Sequence, residues 1–168
     1  EFIEGKNYIL AHPKIMFAIG LLVGSQTIIA SLSTLLPGFA DSVLKLNVND
    51  ASVLLLGPAI LGIVLGAVIV SKFGAKLKPG KLIPLGVIGA GIFMFGLGIS
   101  NNLLIAQVLL FSLGFSNALV DVSCNTILQS QTEESVRSRV YGVLTALGGI
   151  VFILPVLISG TLSDVFGV

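Results

Sequence analysis

Charge is what this chain has least of. Only 10% of its 168 residues are Asp, Glu, Lys or Arg, whereas a soluble domain carries about 25%, so water is not its main solvent. One cysteine, Cys124, and one histidine, His12, exclude an intrachain disulfide and a metal-ligand cluster. The net charge of +1 forms no basic face, because the charges fall between apolar runs, and no nucleic-acid partner is expected. Paired histidines, a Ser/His/Asp set and a Gly-x-x-x-x-Gly-Lys-Ser/Thr phosphate cradle are all missing. No catalytic centre is therefore read, and no metal or cofactor is expected. The opening residues mix polar and apolar types, unlike the basic and then apolar start of a signal peptide. Because the first residue is Glu1 rather than methionine, the chain reads as a segment of a longer protein.

Apolar residues make up 55% of the chain, in runs that reach the roughly 20 residues a helix needs to cross a bilayer. The 20 glycines and six prolines lie inside or beside these runs, as membrane helices tolerate. The expected organisation is a short amphipathic helix over residues 1–14, lying on the membrane surface, followed by five spans at about 15–36, 53–70, 82–99, 103–128 and 140–159. In the first segment Phe2, Ile3, Ile9 and Leu10 share one face, and His12-Pro13 ends it. His12 is read as an ordinary interfacial residue rather than a proton sensor.

The spans differ in polarity. The first has small residues at Gly20, Gly24, Thr27, Ser31 and Thr34, a spacing that lets another helix approach closely. Its Gln26 either bonds across to a neighbouring helix or lines a cavity. The second contains Gly57-Pro58 and Gly62-x-x-x-Gly66, which suit close packing with a proline kink, with gating as the rival reading. The third has no polar side chain and can face lipid. The fourth carries a polar stripe: at 3.6 residues per turn Gln107, Gly114, Asn117, Asp121, Asn125 and Gln129 fall in about a third of the circumference.

Orientation follows from the basic residues, taking five spans of alternating direction. Lys6, Lys14, Lys72, Lys76, Lys78, Lys81, Arg137 and Arg139 fall on one side, and Lys45 alone on the other. This positive-inside bias puts the N-terminus and the loops after spans two and four in the cytoplasm, and the C-terminus outside.

Asp121 lies eight residues, about 12 Å, from Gln129 at the cytoplasmic end of its span. An ionised carboxylate at that depth costs around 2.5–3.5 kcal/mol, so it faces a wet cavity, finds a partner or takes a proton. Proton coupling needs such a carboxyl, yet a structural acid bonded to Asn117, Asn125 or water satisfies the same constraint. Arg137 and Arg139 also have two readings. They hold phospholipid headgroups and set topology, or they bond to helix ends across the bundle and latch one conformation.

Three patterns carry a family resemblance. Glu4-Gly-x-x-Tyr-Ile-x-x-His-Pro13 precedes the first span, and Leu36-Pro-x-x-Ala-x-x-Val-Leu-x-Leu46 follows it. Asn125-Thr-x-Leu-Gln129 with Arg137-x-Arg-Val-x-Gly142 closes the fourth. In their order and spacing the chain resembles helices seven to eleven of a major facilitator superfamily transporter, most like its drug and siderophore efflux branch. The family's signature loop, Gly-x-x-x-Asp-Arg-x-Gly-Arg-Arg in outline, falls on residues 67–76. There Lys72, Gly74 and Lys76 keep the pattern, while Ala67 and Ser71 depart from it and put the charge-relay gate of that loop in question.

The resemblance implies an all-α, polytopic membrane helix bundle: five transmembrane helices of a six-helix half. Residues 1–14 would be a cytoplasmic part of the central loop, and the other six-helix half and a twelfth helix would lie elsewhere in the protein. It also implies that spans one and four line a central cavity and span three lies at the lipid-facing edge. The expected function is alternating-access export of a small amphipathic compound across the plasma membrane, with protons as the coupling ion. Candidate residues for the substrate or proton pathway are Asp121, Asn125, Asn117, Gln26 and Gln107. Those for the conformational or topology loops are Lys72, Gly74, Lys76, Arg137 and Arg139. The expected partners are the lipid bilayer and a small-molecule substrate. The rival readings are a non-transporting membrane scaffold or receptor, and an intramembrane enzyme.

Overall fold

Six helices account for nearly all of the computed structural model, which describes the backbone of residues 2–42, 48–73 and 79–166. Side chains are described for residues 4–34, 36, 38, 40, 53–72, 80–151 and 153. The helices are α1 (Phe2–Ala11), α2 (Pro13–Ser42), α3 (Val48–Phe73), α4 (Pro79–Ile99), α5 (Leu103–Gln131) and α6 (Glu134–Phe166). Among the described residues there is no strand.

The helix boundaries follow from local chemistry. Pro13 opens α2, where its missing N–H is no loss. In its first turn the Ile15 and Met16 amides both donate to the His12 carbonyl at 3.0 Å. Asn102 caps α5: its Oδ1 accepts from the Leu104 amide at 2.9 Å, and its carbonyl accepts from the Ala106 amide. Hydroxyls inside the spans turn back on their own helices. Ser25 donates to the Leu22 carbonyl, Thr27 to Val23, Ser33 to Ile29 and Ser112 to Val108. Serine and threonine are thereby tolerated in an apolar medium without reaching for water.

Among the described residues four stretches are long and apolar enough to cross a membrane: Pro13–Thr34, Val53–Lys72, Gly80–Ile99 and Leu103–Gln131. The remaining expected span, 140–159, falls within α6, and its side chains past Ile153 lie outside the described residues. The helices turn large apolar side chains outward, with Val53, Leu104 and Phe95 each more than two-thirds exposed. On α4 Leu85, Ile88, Ile92 and Ile99 join Phe95 along the outside. Apolar surface on this scale requires a lipid solvent. The chain is a multi-pass membrane protein with an all-α bundle fold.

The chain divides into two compact units, Glu1–Thr34 with Cys124–Val168, and Leu35–Ser123. In the second unit α5 is gripped from two sides. Against α3, a Cβ on Gly62 would run into the Phe111 carbonyl, and one on Gly114 into the Ala59 carbonyl. Gly66 meets Ala118 and Phe115 in the same seam. Contacts advance together along both chains, so α3 and α5 run parallel. Against α4, Gly86 meets Ser116, Leu119 and Val120, whereas Gly96 meets Leu109. Here the numbers run oppositely, and α4 is antiparallel to α5. Val70, Leu82 and Leu119 close one end of the unit as a buried cluster, backed by Phe115 and Val122. Glycines thus let backbones touch where no hydrophobic gain over lipid tails is available to drive association.

In the first unit, α1 docks on the start of α6. A Cβ on Gly5 would sit 2.9 Å from the Arg139 carbonyl oxygen and 3.2 Å from the Val143 side chain. Ile9 beneath it is buried, as are Val140 and Val143. Gly20 and Gly24 of α2, expected to admit a neighbouring helix, have nothing within 4 Å of the position a Cβ would take.

Candidate functional site

The polar stripe of α5 is continuous in backbone but not uniform in role. At its start the Gln107 side chain is half-buried, and its Nε2 donates to the Leu54 carbonyl of α3 at 3.0 Å. Gly114 belongs to the α3 seam described above. Asn117 is buried at 8% exposure, and Asp121 and Asn125, one and two turns further, are half-buried. Asn125 Oδ1 accepts from the Tyr141 hydroxyl of α6 at 3.4 Å. Gln129 is exposed, and its contribution is the backbone carbonyl. Gln26 lies exposed on α2.

The turn from α5 to α6 collects most of the remaining polar contacts. Arg137 reaches back so that Nη2 donates to the Gln129 carbonyl at 3.2 Å and to the Thr132 carbonyl at 3.4 Å. Gln129 is among the last residues of α5 and Thr132 follows its end, where carbonyls lack helical partners and suit a cation. Arg139 points the other way, with Nη1 3.2 Å from Glu4 Oε2 of α1. Tyr8, also on α1, accepts a hydrogen bond from the Glu133 amide at 3.4 Å. The same ring stacks on His12 at 4.2 Å, and His12 Nδ1 bonds to the Tyr8 carbonyl. His12 is held by its own turn and is exposed.

Two motifs far apart in the chain therefore meet. Glu4, Gly5 and Tyr8 come from the pattern before the first span, and they touch Arg139, its carbonyl and the Glu133 amide. Asn125 and Gln129 come from the other pattern and are reached by Tyr141 and Arg137. Neither Tyr8 nor Tyr141 is among the candidate site residues that the sequence alone points to. Tyr8 stood in the first pattern, and Tyr141 fell on an unspecified position between Val140 and Gly142. A tyrosine beside a membrane-edge helix, able to pack its ring and still bond, was the available signal.

Of the other loop residues, Lys72 is exposed in the last turn of α3. Gly74 and Lys76 lie outside the described residues. Among the described residues no three of His, Cys, Asp and Glu are grouped to hold a metal. Cys124 is fully buried on α5.

A sequence profile of the Major Facilitator Superfamily matches residues 1–156. The chain belongs to this superfamily. Named relatives of this major facilitator chain include the enterobactin exporter EntS of Escherichia coli O1:K1 / APEC, 30% identical over 147 residues. That match covers 87% of this chain and 34% of the relative. The enterobactin exporter EntS of Escherichia coli O45:K1 (strain S88 / ExPEC) matches with the same identity and coverage. That of Escherichia coli O139:H28 (strain E24377A / ETEC) is 29% identical over the same share of each chain. The chain thus spans about a third of the length of the curated relatives it matches. No solved structure matches it significantly.

Proposed function

We propose that this chain is part of a secondary active transporter that exports a small amphipathic compound by alternating access, with protons as the coupling ion. The observation that carries the reading is the Asn117, Asp121, Asn125 sequence of polar side chains at successive turns of a membrane-spanning helix. Glycines and apolar groups seat this helix against α3 and α4, and a carboxyl at such depth is costly, which supports a role for it in the transport chemistry. Membership of the superfamily and relatives named as exporters support the direction of transport.

In this reading Asp121 is the acid that exchanges a proton, and Asn117, Asn125 and Gln26 are candidates to bind substrate or conduct the proton. Residues 1–14 belong to a cytoplasmic loop, the N-terminus faces the cytoplasm, and the membrane is the plasma membrane. A further six-helix half and a twelfth helix complete the cavity. In this reading the loop arginines latch one conformation, with Arg137 bonded to the end of α5 and Arg139 paired with Glu4 as the contacts that support it over headgroup anchoring alone. The experiment is efflux from cells or proteoliposomes by the full-length protein, with and without a protonophore. Export that stops with the protonophore supports the proposal, and export indifferent to it removes proton coupling.

A further inference from the structure

Pro58 lies inside α3, and a proline has no N–H to give to the carbonyl four residues before it. That carbonyl is Leu54. It is the group to which Gln107 Nε2 donates, at 3.0 Å, from the neighbouring helix. Breaks in a membrane helix are tolerated when a neighbouring helix supplies the missing partner.

The placement matters because of what lies below it. Leu54, Pro58, Gly62 and Gly66 are spaced by four and share one face of α3. The lower two are where α5 comes into contact, through the Phe111 and Phe115 backbone and the Ala118 methyl group. Such a seam is close and apolar. Glycine notches receive the facing backbone, and its many dispersion contacts are individually weak and carry no direction. A hydrogen bond at one end of the seam adds a directional contact to this fit.

The geometry points to Gln107 as a positioning residue that sets the axial register of α5 against α3 by supplying the N–H that Pro58 lacks. Its side-chain amide acts between helices rather than on a substrate.

The test is hydrogen–deuterium exchange of the full-length protein in lipid nanodiscs, read on the α3 peptide around Pro58. Four proteins are compared: wild type, Gln107→Met, Pro58→Ala and the double variant. Methionine keeps the length of glutamine but cannot donate. Loss of an intramembrane hydrogen bond is expected to raise exchange about three- to twentyfold in Gln107→Met. In Pro58→Ala the backbone amide restored at position 58 serves Leu54, so adding Gln107→Met changes exchange little. Equal increases in both backgrounds, or no increase with Pro58 present, overturn the inference. If Gln107→Met fails to fold, the yield of monodisperse protein becomes the measurement. Recovery in the double variant supports the assignment, and equal loss overturns it.

Discussion

Glu4 and Arg139 meet at 3.2 Å, yet their side chains are 61% and 38% exposed. Pairs this open contribute about 0–1 kcal/mol and weaken with salt. What seats α1 on α6 is the residue beside the pair, Gly5, whose bare Cα faces the Arg139 carbonyl.

Two substitutions in α1 should therefore separate. Glu4→Gln is expected to leave α1 docked, with protease sensitivity of residues 1–12 close to wild type. Gly5→Val places branched carbons where the α6 backbone lies and should release α1, raising cleavage at least several-fold. Equal cleavage of both variants would put the weight on the ion pair instead.

The loop arginines offer a similar contrast. Arg137 serves the Gln129 and Thr132 carbonyls, so Arg137→Glu places an anion against the negative end of α5. Reversing both Arg137 and Arg139 is expected to leave insertion and topology intact while transport by the full-length protein is lost. Insertion is scored by accessibility of added tags on each side. Inverted or failed insertion would favour headgroup anchoring, since cytoplasmic lysine and arginine set orientation.

Much of the fold was legible because a bilayer allows few solutions. A run such as residues 82–99, without a polar side chain, can be a membrane helix and little else. Less legible was which polar residue serves structure. Gln107 shares a sector with Asp121, and periodicity alone put both in one pathway. Its side chain also bonds to the Leu54 carbonyl of α3, a contact that no pattern within α5 encodes. Gly114 shows the same limit, since its place in the polar stripe is also its place in the α3 seam. The motif residues Glu4, Gly5 and Tyr8 were visible, but their contact with Arg139 and Glu133 depends on tertiary docking across most of the chain length.

Glycines of the seam should differ sharply from glycines facing outward. Gly62→Ala puts a methyl group onto the Phe111 carbonyl, and overpacking of this kind costs about 1–3 kcal/mol. Gly91 on α4 has nothing within 4 Å of the corresponding position, so Gly91→Ala should be neutral or slightly stabilising through helix propensity. The buried thiol of Cys124 provides the readout. Its labelling on heating should begin at lower temperature in Gly62→Ala, by about 2–4 °C per kcal/mol, and remain unshifted or later in Gly91→Ala. The reverse order would mean that α3 and α5 do not cross at these glycines.

Asp121 provides the sharpest test of the transport reading. Asparagine is close in shape and keeps hydrogen-bonding capacity, but it cannot carry a proton between the two sides of a membrane. If the carboxyl is structural, Asp121→Asn should preserve most of its bonding and most of its export. If the carboxyl couples protons, the variant should fold and insert normally while proton-driven efflux falls to background. Substrate exchange without a proton gradient would persist, because substrate binding and rocking of the halves do not require net proton movement. Measuring both modes in the same proteoliposomes separates a coupling acid from an acid needed for binding, which would abolish exchange as well. Efflux by Asp121→Asn at the wild-type rate would place the proton elsewhere in the full-length protein.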